Sequence, residues 1–225
     1  MAASRGRTKD ASVDGNGQSE LVGVLIGLLI PDQGTMWLHH QRVTAPTPAS
    51  LRTAGVSLIP QDRRKEGLAL PFTIEENLLL STHLLDTLTS GCLLPPSAVR
   101  RFATAQIDRF SIRTPSPTQP VSALSCGNQQ RVVIARELAF APQLIVAANP
   151  SRGLDVGATR YVHQALLECC QHGAGVVLIS TDLEEVLTLS HRIYTLYQGQ
   201  LLGPIEPTAA RAQIGRMMTG AWVPP

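Results

Sequence analysis

The sequence predicts an α/β fold in which a mainly parallel sheet is flanked by helices. Two continuous apolar runs, at residues 144–148 and 176–180, are typical of strands buried on both faces. Residues 158–172 between them have helical periodicity, as the crossover between two parallel strands requires. With 225 residues, 44% of them hydrophobic, the chain can bury one sizeable core.

Composition excludes several classes of protein. The formal net charge of +2 is small and evenly spread, so no nucleic-acid partner is expected. The four cysteines lack the spacing of a metal site or a disulfide framework, which favours a reducing cytoplasm. No apolar run approaches the length of a membrane span, and the basic N-terminus lacks the apolar region of a secretory signal. We expect neither a membrane span nor a covalent anchor.

The N-terminal segment is predicted to form no regular secondary structure. Residues 1–11 are polar and basic and have no periodicity, so we expect them to be disordered. A phosphate-binding loop normally follows a buried strand, and such a strand would be a continuous apolar run. Residues 1–11 contain no such run. The sheet is therefore predicted to lack its first strands, and the chain to be a partial domain over residues 12–225.

Residues 12–19 are similar to the phosphate-loop pattern G-x-x-x-x-G-K-[ST]. Gly17 and Ser19 fit the pattern, Ser12 replaces its first glycine, and Gln18 replaces its lysine. The alternative is a hairpin turn, but the apolar helix that follows, predicted to end near Pro31, favours a degenerate phosphate loop. Its backbone amides could bind phosphate oxygens. The nucleotide-binding candidates are Gly15, Asn16, Gly17, Gln18 and Ser19.

The middle of the chain contains short elements. Residues 34–43 indicate a strand pair, residues 49–54 a helical piece, and residues 56–60 a short apolar strand that is followed by Gln61. Thr73 and Glu76 have the spacing of a capping box at a helix start. A further helix is predicted over residues 96–110, before a turn-rich connector.

The stretch at residues 124–138 begins with small residues and continues as an apolar-periodic helix. A helix N-terminus favours anions, because its first amides have no intrahelical partner and the helix dipole is positive there. Ser125 is equally compatible with an ordinary helix N-cap. The residues of this motif are Ser125, Cys126, Gly127, Asn128 and Gln129.

Three stretches together resemble the ATP-binding cassette (ABC) family. Residues 124–130, LSCGNQQ, resemble the signature "LSGGNQQ" of importers of simple sugars and nucleosides. Residues 62–68, DRRKEGL, and residues 150–158, PSRGLDVGA, resemble two further motifs of that family. The resemblance covers residues 12–203 and implies a P-loop NTPase-like fold with a helical subdomain at about residues 72–128.

The resemblance also implies a degenerate site. Relatives carry a magnesium-orienting Asp, a catalytic Glu and a switch His where this chain has Ala148, Asn149 and Thr181. Asn149 has no basic site, although its carbonyl could hold a water molecule. We therefore expect that the chain does not hydrolyse ATP on its own. The implied cofactors are ATP and Mg²⁺, with Ser19 and Gln61 as metal candidates, and whether its own site binds them stays open.

The implied role depends on partners. In family dimers each site pairs one chain's phosphate loop with the other chain's signature, so residues 125–129 are expected to complete the ATP site of a catalytic partner cassette. Asp155 lies in the loop that crosses such a dimer. The chain would then be peripheral on the inner face of the plasma membrane, bound through membrane subunits. The alternative is a truncated, non-catalytic binding or interaction module without transport activity. The transported solute cannot be inferred from the sequence.

Overall fold

The computed structural model describes residues 8–12, 16–38, 40–80, 94–206 and 211–218. The chain divides into two compact units. The first consists of Met1–Leu58, Gln143–Pro150 and Ala165–Pro225, and the second of Ile59–Pro142 and Ser151–Gln164. No helix within the described ranges is both long and apolar enough to cross a membrane.

The first unit is built on a six-stranded sheet. Its strands are β1 (Thr8–Ser12), β4 (Val56–Ile59), β5 (Leu144–Ala148), β6 (Gly175–Ser180), β7 (Arg192–Tyr197) and β8 (Gln200–Ile205). Their order in the sheet is β4-β5-β6-β1-β7-β8. Strands β5, β6, β1 and β7 are parallel neighbours, and β8 pairs with β7 in the antiparallel direction. The predicted mainly parallel sheet is thus confirmed.

The prediction of a disordered N-terminus is wrong for residues 8–11. Thr8–Ser12 form β1, which pairs with β6 on one side and with β7 on the other. A parallel strand does therefore precede residues 16–19, and the first strand is not missing. Backbone hydrogen bonds to two neighbours form irrespective of side-chain polarity, so the polar sequence TKDAS gave no signal. Residues 1–7 lie outside the described residues.

Helices and one hairpin surround this sheet. Helix α1 (Gln18–Leu25) ends well before Pro31, because Gly27 adopts a φ of 76° and the Leu28 amide donates to the Gly23 carbonyl. Apolar residues of α1 and of the hairpin pack on a buried cluster of the first unit. The remaining elements are β2 (Met36–Leu38), β3 (Gln41–Val43), α2 (Pro48–Thr53), α7 (Leu183–Leu189) and α8 (Arg211–Met218).

The second unit is mainly helical. It contains a π-helical turn (Arg63–Gly67), α3 (Ile74–Leu79), α4 (Pro96–Arg109), a 3₁₀ turn (Val121–Ala123), α5 (Cys126–Leu138) and the start of α6 (Val156–Gln171). The capping box predicted before α3 is confirmed, since the Thr73 hydroxyl accepts from the Glu76 amide and the Glu76 carboxylate accepts from the Thr73 amide. Helix α5 is the most buried helix segment of this unit, with residues 132–135 inaccessible to solvent.

Candidate functional site

The carboxyl ends of the parallel strands place several predicted site residues along one edge of the sheet. Strands β5, β6, β1 and β7 run in the same direction and are neighbours in that order. Ligands of parallel α/β sheets bind at the carboxyl edge. Asn149 and Thr181 directly follow β5 and β6, and Gln198 directly follows β7. Asn16 lies shortly after β1.

Asn149 and Thr181 form a direct contact that the sequence did not predict. The Asn149 Oδ1 atom accepts from the Thr181 backbone amide at 2.9 Å and from the Thr181 hydroxyl at 3.3 Å. The Asn149 amide in turn donates to the Ile179 carbonyl at 2.7 Å. A carbonyl oxygen has two lone pairs, and both are engaged here. The two Thr181 donors thus occupy the carbonyl that the sequence suggests for a water molecule.

Asn16 contacts the turn between β7 and β8. Its side-chain Oδ1 accepts from the Gln198 amide at 2.9 Å, and its backbone carbonyl accepts from the Gly199 amide at 3.1 Å. Asn16 and Gln198 are 182 positions apart, so no local pattern could have indicated the pair. Gly17 follows with a φ of 105°, which glycine adopts without strain. Gly15 lies outside the described residues, and its place in the loop stays a prediction.

The first turn of α1 provides a hydroxyl but no positive charge. Gln18, at the lysine position of the phosphate-loop pattern, is buried, whereas Ser19 is exposed. Ala148, at the end of β5, presents only a methyl group. The described residues contain no group of three or more His, Cys, Asp or Glu side chains able to hold a metal. Position 148 therefore offers a magnesium ion no side-chain ligand atom, and position 18 offers phosphate no lysine.

Gln61 belongs to the second unit, two residues after the end of β4. The neighbouring Asp62 caps the π-helical turn, since its carboxylate accepts from the Arg64 and Lys65 amides at 3.0 and 3.2 Å. The loop resembling the "DRR" motif is thus ordered by its own acidic residue. Gln61 lies in the second unit and Ser19 in the first. That the two residues hold a metal ion together therefore stays a prediction.

The signature motif forms the start of α5 in the second unit. Ser125 is the N-cap, and its hydroxyl oxygen accepts from the Asn128 amide at 3.4 Å and from the Asn128 Nδ2 at 3.1 Å. The carbonyl oxygen of the same Asn128 side chain accepts from the Arg113 amide at 3.0 Å. The N-cap interpretation is therefore confirmed. In this cap the Ser125 hydroxyl oxygen is the acceptor, so its proton is available for donation to another group. Both Ser125 and Cys126 are exposed.

Gln129 does not lie where the signature interpretation requires it. Its side chain is 3% exposed, and its Nε2 donates to the Val121 carbonyl at 3.2 Å. It therefore belongs to the packing between α5 and the preceding 3₁₀ turn, and its expected role in a partner's site stays a prediction. The helical period explains the difference, because Gln129 lies on the buried face that Val132 and Val133 continue.

Asp155 caps the next helix of the same unit. Its carboxylate accepts from the Ala158 amide at 2.8 Å at the start of α6. The start of α5 packs closely there, since a β-carbon built on Gly127 would lie 3.1 Å from the Ala158 β-carbon. The signature and the Asp155 loop are therefore adjacent, and Val156 beside them is 69% exposed. The capping role of Asp155 is one that the sequence analysis did not assign.

Comparisons with known proteins agree with this architecture. A family model described as "ABC transporter" matches residues 13–152. The chain is 39% identical over 212 residues to the guanosine import ATP-binding protein NupO of Bacillus subtilis, with 94% of the chain and 42% of that protein covered. It is 36% identical over 211 residues to the nucleoside import ATP-binding protein NupA of Lactococcus lactis, with 93% and 42% covered. The chain thus spans less than half the length of these relatives.

Solved structures show the same fold. A dimeric ATP-binding cassette in a post-hydrolysis state with ADP and Pi aligns with a TM-score of 0.75 at 21% identity, covering 92% of this chain and 87% of that one. A nucleotide-free cassette from an ABC transporter aligns with a TM-score of 0.74 at 22% identity, covering 96% and 85%. At these identities the likeness establishes the fold.

Proposed function

The chain belongs to the ABC transporter family, and we propose that it is a cassette component of an importer of simple sugars or nucleosides. The observation that carries this proposal is the match of more than 90% of the chain to proteins named for guanosine and nucleoside import. A ribose import ATP-binding protein of Oceanobacillus iheyensis is also similar, at 34% identity over 92% of the chain. The partners would be a catalytic cassette and membrane subunits, with the chain at the inner face of the membrane.

We further propose that the chain's own site does not hydrolyse ATP. Gln18 has no charge for phosphate, Ala148 has no metal-binding atom, and the Asn149 carbonyl is engaged by Thr181. If each replacement costs on the order of 2–4 kcal/mol in the transition state, as single catalytic donors do, the intrinsic rate is negligible. Such costs are not additive, but the absence of a base at position 149 is enough by itself to prevent hydrolysis at this site.

The same chain can still serve a partner's site through the exposed start of α5. Asn128 fills the acceptor positions of the Ser125 hydroxyl, so the hydroxyl can act toward an anion only as a donor. The helix N-terminus adds its dipole to this donor. The partner's phosphate would therefore meet Ser125 and the backbone near Gly127, while Asp155 holds the neighbouring loop in place through its cap on α6.

The proposal is tested in a reconstituted transporter. The chain would be combined with a catalytic cassette and the membrane subunits of a nucleoside importer, and ATP hydrolysis measured. Ser125→Ala is expected to lower the rate at least about tenfold, since a single transition-state donor contributes that much or more. The matched control is Ser122→Ala, an exposed serine just before the signature, which should leave the rate unchanged. Equal rates for both variants would favour the non-catalytic module instead.

Cys126 is expected to hinder the partner's site. Family signatures carry glycine here, and the exposed thiol stands at the first helical position of α5, beside Ser125. The backbone is helical and unstrained, so any hindrance comes from the side chain itself. Cys126→Gly is therefore expected to raise ATP hydrolysis by the reconstituted pair. A rate that stays the same or falls would contradict this steric explanation.

A further inference from the structure

Asn128, in the signature, uses both ends of its side-chain amide within the second unit. Its Oδ1 accepts from the Arg113 backbone amide at 3.0 Å, and its Nδ2 donates to the Ser125 hydroxyl oxygen at 3.1 Å. An asparagine amide can be placed either way round, but a backbone N–H is only a donor, so the atom that faces Arg113 must be the oxygen. The atom that faces Ser125 is therefore the NH₂ group.

The connector that carries the Arg113 amide is anchored by its own contacts. Phe110 and Ile112, just before Arg113, are both buried. The Ile112 amide donates to the Ile107 carbonyl at 2.9 Å, at the end of α4. Arg131 of α5 donates through Nη1 to the Phe110 carbonyl, also at 2.9 Å. The Arg113 amide is thus held beside α5, and it determines which way the Asn128 amide faces.

Asn128 directs two donors at the same hydroxyl oxygen. Besides its Nδ2, its backbone amide donates to the Ser125 Oγ at 3.4 Å. A hydroxyl oxygen has two acceptor lone pairs and one proton. Because both lone pairs face donors of Asn128, the proton must point away from them. A group that binds this exposed hydroxyl must therefore be a hydrogen-bond acceptor, as an unprotonated phosphate oxygen is.

We propose that Asn128 is a positioning residue for the ATP site of the partner cassette, acting through Ser125 and not on the nucleotide. This inference rests on the proposed function and adds a named role within the same site. A serine hydroxyl without such neighbours can turn about its Cβ–Oγ bond and can accept as well as donate. Asn128 removes that choice before the partner binds. A donor that is oriented in advance needs no reorganisation when charge develops in the transition state.

The test is a double-mutant cycle in the reconstituted transporter, with ATP hydrolysis as the measurement. Asn128→Ala is expected to lower the rate at least about threefold when Ser125 is present, which corresponds to the loss of one hydrogen bond. In the Ser125→Ala background no hydroxyl is left to orient, so Asn128→Ala should change the rate less than about twofold. Equal factors in both backgrounds, or no effect of Asn128→Ala in either, would overturn the role of Asn128 alone. A Ser125→Ala variant with an unchanged rate would instead overturn the proposed function and this inference with it.

Amide hydrogen exchange on the full chain tests the geometry without a transporter. The Arg113 amide is expected to be protected in the unmodified chain and to exchange at least about tenfold faster in Asn128→Ala. It should stay protected in Asn128→Asp, whose carboxylate keeps an acceptor in place. The Ile112 amide should stay protected in every variant, because its acceptor is the Ile107 carbonyl. An Arg113 amide that exchanges equally fast in the unmodified chain and in Asn128→Ala would overturn the proposal.

Asn128→Asp decides the question if Asn128→Ala also exposes the Ile112 amide. It keeps the bond to Arg113 but replaces the donor that faces Ser125 by an acceptor, so the hydroxyl proton turns toward residue 128. Its negative charge acts on phosphate in both backgrounds and therefore cancels in the cycle. Asn128→Asp should lower the rate at least about threefold more with Ser125 present than in the Ser125→Ala background. Equal factors would again overturn the role of Asn128.

Discussion

Position 149 shows how one side chain can change the chemistry of a whole site. An amide has no basic oxygen, so it cannot activate water as a carboxylate does. The structure adds that the Asn149 oxygen is already bonded to Thr181, at the position where the family resemblance places a histidine. The residues at these two positions thus bond directly to each other, which supports the proposal that the contact is structural and not catalytic.

Gly127 is predicted to be required for close packing. In Gly127→Ala the new β-carbon would lie 3.1 Å from the Ala158 β-carbon, closer than ordinary contact allows. Overpacking of this kind costs about 1–3 kcal/mol, which exceeds the roughly 0.5–1 kcal/mol that alanine gains over glycine in a helix. We expect the free energy of unfolding to fall by about 1 kcal/mol, measured by urea denaturation.

Gly215 provides the matched control. It also lies inside a helix, α8, and a β-carbon built there meets no atom within 4 Å. Gly215→Ala should therefore keep the gain in helix propensity and raise the free energy of unfolding by roughly 0.5–1 kcal/mol. If both variants shifted stability in the same direction, the contact between α5 and α6 would not be the cause.

At the scale of single elements, the start of α3 depends on a charged cap. Hydrogen bonds from the Thr73 amide and hydroxyl lower the pKa of the Glu76 carboxyl below its ordinary value of 4.5. Since the folded-state pKa is lowered, the cap contributes stability above the unfolded-state pKa and loses it as the pH falls through the folded-state pKa. The loss is therefore expected below about pH 5.

Glu76→Gln tests this capping box. Glutamine keeps the geometry of the cap without a titratable group. The stability difference between the unmodified chain and Glu76→Gln should be largest near neutral pH and shrink as the solution is acidified, measured by thermal unfolding across pH 3–7. A difference that does not depend on pH would show that the charge of Glu76 plays no part in the cap.

Elements also differ in how far their own residues determine them. The capping box at Thr73 and the apolar runs of β5 and β6 are local signals, and each forms the element that was predicted. Strand β1 has no such signal, because TKDAS contains no apolar run. It is a strand because β6 and β7 lie on either side and supply backbone partners. Such a position exists only once the sheet has formed.

At the scale of the whole molecule, the prediction concerns nucleotide binding. Ligand that binds only the folded state raises the unfolding temperature. Because position 18 carries no charge and position 148 no metal ligand, we expect magnesium ATP to leave a cooperative thermal transition within about 1 °C of its nucleotide-free value. A rise of several degrees would show that the loop at residues 16–19 still binds ATP.

Gln18→Lys is the corresponding gain-of-function comparison. Gln18 is buried, so an ammonium group placed there without an anion should lower stability. Magnesium ATP should then stabilise this variant more than it stabilises the unmodified chain, because the new charge pairs with phosphate. A variant that ATP does not stabilise would place the defect elsewhere in the site.

The sequence by itself determined the family, the parallel sheet and the approximate location of each motif. These properties depend on residue types at short, regular spacings, which are local in the chain. The signature at residues 124–130 and the altered positions 148, 149 and 181 could be identified without coordinates for the same reason.

The tertiary structure alone decided which groups contact each other. Asn149 meets Thr181 because β5 and β6 are neighbours, and Asn16 meets Gln198 because β1 lies beside β7. Gln129 faces inward because the phase of α5 is set by the packing of its apolar face. Hydrogen bonds between distant segments depend on strand order and helix phase, and these are properties of the folded chain as a whole.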